Sequence, residues 1–424
     1  MKGSVRKRGN TWSYYFDTGI VDGKRQKREK GGFRTRKEAE NALAKALTEY
    51  NETGSVFEAS DITVADYLDQ WYELHCKMNL KYNTQLEYLR TIKNHLVPRF
   101  GSLRVRALTP RLLQEYANDL KASGLAKATI VNIMCVLSAS LDYAVEPMQY
   151  IQASPMRYVK IPKIERQPRE RIVLSLEDWD RIVERFPEGT RFHIPLLIGF
   201  YCGLRISETF GLTWDDIDLE KRELTVNKQI LKRNHGADVR RAAQKMGFRE
   251  ARSSWYLQTP KTSTSTRTIK FGKTLADALV AEKLRQDKNE LQYGDSYTLL
   301  VLATEKDEKG NDMLRLVPVQ KYVQTDLPRA RMVCVGENGE YTSTDSFKYA
   351  ARVIHHDLGI DFDYHALRHT HATMLIEGGA NIKDVQKRLG HANIQTTLQT
   401  YVHDTEKMAS DSVDIFERAA ARQG

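Results

Sequence analysis

The spacing of apolar and polar positions changes twice along the chain and marks three stretches. Residues 12–21 are aromatic and β-branched, Asp22-Gly23 is a hairpin turn signal, and residues 24–30 return as a basic strand, so the chain opens as a small β-sheet. A helix follows, because Thr35 and Glu38 have capping-box spacing and Ala39, Leu43, Ala46, Leu47 and Tyr50 recur at helical intervals. Residues 51–60 form a polar linker. From residue 62 to about residue 159 the period is helical, with helices predicted at 64–78, 84–96, 110–122 and 128–145. Thr109-Pro110 supplies an N-cap followed by proline at the first helical position. The stripe Val64, Tyr67, Leu68, Trp71 and Leu74 is assigned to the core of a four-helix domain.

A charged, proline-broken stretch at 157–171 precedes a larger mixed domain. There the pattern predicts a helix capped by Ser175 ahead of Asp178, an apolar helix near 194–202, and strands near 224–231, 255–259 and 267–271. Helices return from 344 onward. Residues 294–324 are charged and irregular and read as an insertion. The expected fold class is therefore multidomain: a small N-terminal β-sheet plus helix domain at 1–55, an all-α domain at 61–160 and a mixed α+β domain at 172–424.

Composition narrows the field: 424 residues, 41% apolar and 28% charged, exclude a disordered or fibrous chain and allow two or three domains. No run of eighteen uncharged apolar residues occurs, and the N-terminus opens with Lys2, Arg6, Lys7 and Arg8 instead of an apolar signal core. Cys76, Cys135, Cys202 and Cys334 lie far apart with no CxxC pair, so neither a disulfide framework nor a cysteine zinc site is expected. A cytoplasmic protein, neither secreted nor membrane-spanning, is the expectation.

Charge changes the picture further. Residues 1–37 hold twelve basic and three acidic side chains, nearly all of the chain's formal +10. Trp12, Tyr14, Tyr15 and Phe16 interleave with that charge, as suits a sheet that binds a polyanion. The candidate nucleic-acid contacts are Arg6, Lys7, Arg8, Trp12, Tyr14, Lys24, Arg25, Lys27 and Arg28. The 157–171 linker, six basic against two acidic, adds Lys160 and Lys163.

Three segments hold candidate chemistry. In Gly203-Leu204-Arg205-Ile206-Ser207-Glu208, directly after the apolar helix, Arg205 and Glu208 share a helical face. A structural ion pair reads equally well there. His365-Ala366-Leu367-Arg368 presents an imidazole and a guanidinium on one face. His369 and His371 invite a metal reading, but no HExxH pattern places a carboxylate base between ligands, so no metal is expected. The third segment runs from Leu389-Gly390-His391 to Tyr401, ten residues after the histidine.

In this order, these segments resemble the tyrosine recombinase family, the integrases of phages and integrative conjugative elements. Its arginine, lysine, histidine-x-x-arginine, histidine and tyrosine positions fall on Arg205, Lys261, His365, Arg368, His391 and Tyr401. Thr259-Pro260-Lys261-Thr262, followed by Ser265, Arg267 and Thr268, looks like the family's β-hairpin turn, and His235 to Arg252 lengthens that hairpin. The resemblance covers essentially the whole chain and implies an arm-type DNA-binding domain, a helical core-binding domain and a tyrosine recombinase catalytic domain.

The implied function is a site-specific recombinase that integrates or excises a mobile element through a 3′-phosphotyrosine intermediate. Planar guanidiniums of Arg205 and Arg368 suit the charge that builds on non-bridging phosphate oxygens. The resemblance makes Tyr401 the nucleophile, Lys261 the proton donor to the leaving 5′ oxygen, His365 an acid/base group, His391 a donor to phosphate and Glu208 an orienting carboxylate. It implies no cofactor, double-stranded DNA with core and arm sites as partner, and a homotetramer on DNA. An excisionase or host DNA-bending factor would assist, in a nucleoid-associated setting. The tail residues Met408, Ile415, Phe416 and Ala419 form an apolar stripe suited to a neighbouring protomer. Two rivals remain at this point: a type IB topoisomerase-like enzyme with the same chemistry, and a non-catalytic DNA-binding protein.

Overall fold

The computed structural model describes residues 3–21, 24–53, 60–163, 171–234, 253–260, 265–307, 309–401 and Glu417. The chain forms two compact units, Met1–Gln167 and Pro168–Gly424.

The first unit opens with an antiparallel sheet of β1 (Gly3–Arg8), β2 (Thr11–Val21) and β3 (Lys24–Phe33), with β2 in the centre. β1 is an element the pattern did not predict. Its Gly-Ser-Val-Arg-Lys-Arg sequence has little apolar alternation, and pairing with β2 from Gly3 opposite Phe16 to Arg8 opposite Thr11 defines it. The Asp22-Gly23 turn lies outside the described residues. Helix α1 (Arg36–Thr53) covers one face of the sheet, burying Tyr14, Phe16, Leu43 and Ala46. Its capping box closes as predicted, with the Glu38 N–H donating to Thr35 Oγ1 at 3.2 Å and the Thr35 N–H to the Glu38 carboxylate at 3.4 Å.

Helix α2 (Val64–Trp71) runs on through a π turn, Tyr72–Cys76, to Lys77–Asn79. α3 (Tyr82–Thr91) likewise passes through a π turn, Ile92–Leu96, to Val97–Phe100. α4 (Pro110–Ala122) starts at the Thr109 cap, whose Oγ1 accepts from the Leu112 N–H at 3.3 Å, and α5 (Lys127–Val145) completes the set. Tyr67, Trp71, Ile92, Leu113 and Ile130 lie in their shared core. Leu74, expected there, is exposed: the wider π turn carries it off the buried stripe and turns Cys76 inward instead. By length and composition α5 could cross a membrane, but its apolar residues Ile130, Ile133, Met134, Leu137 and Leu141 pack into this core.

The second unit begins with α6 (Leu176–Arg185), capped by Ser175 through the Asp178 N–H at 3.0 Å, and with α7 (His193–Cys202), buried nearly all round. After the short α8 (Ile206–Thr209) come two sheets. One is β4 (Ile217–Asp218), β5 (Glu223–Val226) and β8 (Arg267–Lys270); the other has the order β6 (Gln229–Asn234), β7 (Ser253–Gln258), β10 (Asp312–Gln320), β9 (Thr298–Lys306).

This topology corrects two expectations. The strand predicted at 224–231 is two strands in two sheets, because the chain changes sheet at residues 227–228. The strands predicted near 255–259 and 267–271 appear as β7 and β8, one in each sheet. Lys261 lies outside the described residues, between β7 and β8 in sequence. The stretch 294–324 is no irregular insertion. It folds as the β9–β10 hairpin, in register from Thr298 opposite Gln320 to Lys306 opposite Asp312, and joins the second sheet through β7.

Helix α9 (Lys273–Tyr293), also absent from the prediction, follows β8. The unit then continues with α10 (Thr344–Asp357), α11 (Tyr364–Glu377), α12 (Ile382–Leu389) and α13 (Ile394–Tyr401). The tail residues Met408, Ile415, Phe416 and Ala419 lie outside the described residues.

Candidate active site

Helix α7 stops at Gly203, whose φ of +64° suits glycine and whose β position would lie 2.7 Å from His371 Cδ2. The reversal puts Arg205 at the start of α8. There the Arg205 Nη1 donates to Glu208 Oε1 at 2.7 Å and the Arg205 N–H to Oε2 at 3.0 Å. Glu208 is 2% exposed, whereas a third of the Arg205 side chain reaches solvent.

Helix α11, capped by Asp363 through the Ala366 N–H at 2.9 Å, carries the second segment. Arg368 is buried and tied on two sides. Nη1 donates to Gly203 O at 2.7 Å, while Nη2 donates to Leu389 O at 2.7 Å and lies 2.9 Å from His391 Nε2. It thus joins the end of α7 to the end of α12. His365, one helical turn earlier, is exposed.

The third segment reverses at Gly390, with φ of +67°. His391 follows, its carbonyl accepting from Gln386 Nε2 at 2.9 Å and its Nδ1 lying 2.9 Å from the Thr397 hydroxyl. Because the Arg368 guanidinium can only donate, Nε2 is the acceptor and the His391 proton sits on Nδ1, toward Thr397. Tyr401 closes α13, and its side chain lies outside the described residues, as does Lys261.

The structure therefore brings together Arg205, Glu208, Arg368 and His391, with His365 on the same helix as Arg368. It adds residues that sequence reasoning missed. Arg267, noted only as following the lysine segment, donates to both Glu208 oxygens, at 3.3 Å and 2.9 Å. Arg388 donates from Nε to His371 Nε2 at 2.9 Å, and the His371 Nδ1 proton goes to Phe200 O at 2.8 Å. Both ring nitrogens of His371 are thus engaged by protein groups, which takes it away from a metal-binding role beside His365 and His369.

Electrostatics follow from this crowd of cations. Burial alone would raise the Glu208 carboxyl, but the Arg267 hydrogen bond and charge, then Arg205, bring it down to about 2. Burial and Arg368 lower the His391 imidazole to about 4, and burial and Arg388 do the same to His371. Desolvation by surrounding protein, then Arg368, lowers His365. The histidines are neutral at pH 7, and the net positive charge rests on the arginines, an arrangement suited to an anionic group.

On the N-terminal sheet, register places Arg6, Arg8, Tyr15, Lys27 and Glu29 on the face away from α1. Arg6 and Lys27 lie 5.1 Å and 5.7 Å from the Tyr15 ring, and Glu29 accepts from both Arg6 and Arg8. Tyr14 corrects the candidate list: it is 4% exposed and stacks on Phe16 and Phe33, so its ring is core and unavailable to a ligand. Trp12, opposite Lys7, lies on the α1 side beneath Arg36, and Arg28 pairs opposite Phe16 on that side too. Lys24 and Arg25 belong to β3, their side chains outside the described residues. Lys160 is held by its backbone to Gln114, leaving its side chain exposed, and Lys163 is exposed as well.

Comparison with known proteins agrees with this arrangement. Three family models match: Arm DNA-binding domain at residues 4–50, the N-terminal SAM-like domain of phage integrases at 63–121, and Phage integrase family at 173–408. A tyrosine recombinase XerC-like protein of Caldanaerobacter subterraneus subsp. tengcongensis is 28% identical over 90% of both chains, and the ICEBs1 integrase of Bacillus subtilis is 24% identical over 90% of both. Among solved structures, the Tn1549 transposon integrase in complex with a circular intermediate DNA superposes with a TM-score of 0.61 at 20% identity, covering 84% of this chain and 99% of that one. A lambda integrase tetramer bound to a Holliday junction gives 0.53 at 15% identity, covering 95% and 96%. With the catalytic family model spanning more than half of its length, this chain belongs to the phage integrase family, the site-specific tyrosine recombinases.

Proposed function

We propose that the chain cuts and rejoins duplex DNA at Tyr401, with Arg205 and Arg368 stabilising the charge that builds on the scissile phosphate. The observation that carries this reading is the Arg205–Glu208–Arg368–His391 cluster, which sits where two chain reversals meet and whose third segment leads, ten residues on, to a tyrosine closing α13. Planar guanidiniums fixed by carbonyls and a buried carboxylate need little reorganisation when the pentacoordinate phosphorus forms.

The Tyr401 oxygen attacks phosphorus and loses its proton, the phosphorus–5′ oxygen bond breaks, and Lys261 protonates the leaving oxygen. A 3′-phosphotyrosine and a 5′ hydroxyl result. Attack by a 5′ hydroxyl reverses the step and rejoins DNA with no external energy source. His365 serves as acid/base group. His391 begins as an acceptor from Arg368, so its donation to phosphate requires that bond to open as the anion enters.

In the same reading, residues 1–55 bind arm sites through the Arg6, Arg8, Tyr15 and Lys27 face, residues 61–160 bind core sites, and 157–171 is the basic linker before a catalytic domain at 172–424. The lambda integrase tetramer on a Holliday junction supports a four-protomer assembly here, and the cytoplasmic nucleoid is the natural setting. An excisionase or host DNA-bending factor would set direction.

The test is strand exchange between two duplexes carrying the element's attachment sites. Wild type should produce recombinant joints and Tyr401→Phe none, while retaining DNA binding. Relaxation of supercoils without recombinants would instead favour the topoisomerase reading.

A further inference from the structure

Arg267 touches three segments of the site. Its side chain is 7% exposed. Nε donates to Arg388 O at 2.7 Å, Nη1 to Ser265 O at 3.0 Å and to Glu208 Oε1 at 3.3 Å, and Nη2 to Glu208 Oε2 at 2.9 Å. The same guanidinium lies under the turn before His391, since a β-carbon on Gly390 would meet its Nη1 at 3.0 Å and its Cζ at 3.2 Å. In sequence it closes the connection that contains Lys261.

We propose that Arg267 is a positioning residue for DNA cleavage, sharing the Glu208 carboxylate with Arg205 so that Arg205 is oriented without being neutralised. The inference rests on the reading of Arg205 as a phosphate-binding group. A carboxylate paired with Arg205 alone would hold it rigidly but leave the pair with no net charge toward DNA. Two guanidiniums on one carboxylate leave a net +1. The surplus belongs at Arg205, because Arg205 is one-third exposed while Arg267 and Glu208 are both nearly closed off from water. Burial of Arg267 is in turn offset by four hydrogen bonds, two of them to the ionised carboxylate. One buried cation thus fixes an acidic clamp, a catalytic arginine and the backbone beneath a catalytic histidine.

The test uses the full chain, a nicked duplex bearing its core site, single-turnover cleavage, DNA affinity and thermal unfolding. Arg267→Gln should slow cleavage by about 100-fold, the effect of losing one strong electrostatic contact, while affinity changes by less than about threefold. Adding Glu208→Gln to Arg267→Gln should speed cleavage again, because it returns the positive charge to Arg205. Arg267→Lys, which keeps the charge, should cleave faster than Arg267→Gln and stands as the comparison if the glutamine variant fails to fold. A merely structural role predicts that the double variant is no faster than Arg267→Gln and that lysine is no better than glutamine, and either result overturns the proposal. Absence of a covalent adduct with wild type would instead remove the underlying reading, so the two failures are distinguishable.

Discussion

Arg205→Lys and Arg368→Lys are the same chemical change at two arginines of one site, and the structure predicts that they part company. Arg368 is 2% exposed and serves three acceptors on two chain segments, Gly203 O, Leu389 O and His391 Nε2. One lysine ammonium cannot span them, so at least two lose a charged donor. Hydrogen bonds to charged groups contribute about 1.5–3 kcal/mol each, which puts the destabilisation at about 3–6 kcal/mol. For a unit of this size that lowers the melting midpoint by at least about 6 °C. Arg205, one-third exposed and bonded mainly to the neighbouring Glu208, should lose less than about 1 kcal/mol as lysine. Both variants should cleave at least about 100-fold more slowly, since neither retains the planar fork. Differential scanning calorimetry and single-turnover cleavage, run well below the lower midpoint, separate the two effects. Equal midpoints for the two variants would refute the bridging role of Arg368, and wild-type cleavage by either would refute the clamp.

Acid should destabilise the second unit in a defined window. His371 is held at about 4 against an ordinary 6.5, so between those values the unfolded chain binds more protons and stability falls as pH drops, with about 3 kcal/mol from His371 alone. The depressed carboxyl of Glu208 stabilises the fold fully above about 4.5, and that stabilisation is lost as pH falls toward 2. Urea titrations from pH 7 to 5 should therefore show a slope that His371→Gln flattens, and an unchanged slope would contradict the assignment. On the N-terminal sheet, Tyr14→Ala should unfold the domain by removing a core ring, whereas Lys27→Ala should leave its circular dichroism intact and reduce the salt dependence of arm-DNA binding by about one counterion. Intact folding of Tyr14→Ala, or an unchanged salt slope for Lys27→Ala, would count against that division of faces.

Much of the scaffold was legible because it is encoded locally. The Thr35, Thr109 and Ser175 caps each lie within three residues of the backbone N–H they satisfy, and helical periodicity marked α2 to α5 without reference to the rest of the chain. The order of arginine, histidine and tyrosine segments was equally visible. What escaped depends on distant pairing. β1 is defined by its pairing with β2; the strand predicted at 224–231 divides between sheets whose other members lie up to 90 residues away; and β9–β10 alternates too weakly to declare itself without β7. Tyr14 looked like a nucleic-acid contact because charge surrounds it in sequence, but period-two alternation with Phe16 sends both rings under α1. Arg267 and Arg388 escaped for a further reason. Their partners are Glu208 and His371, and the bonds need β8 beside α8 in the first case and α12 beside α11 in the second.

Whether Tyr401 itself carries the DNA strand is decided with a nicked suicide duplex, since loss of the short fragment beyond the nick traps the intermediate. Protein recovered from that reaction should be digested with trypsin and nuclease and the adduct located by tandem mass spectrometry. The expected product is a nucleotide joined through its 3′ phosphate to the Tyr401 oxygen, with a 5′ hydroxyl on the released strand. An adduct on any other residue, or a cleaved 3′ end with no protein attached, would contradict it.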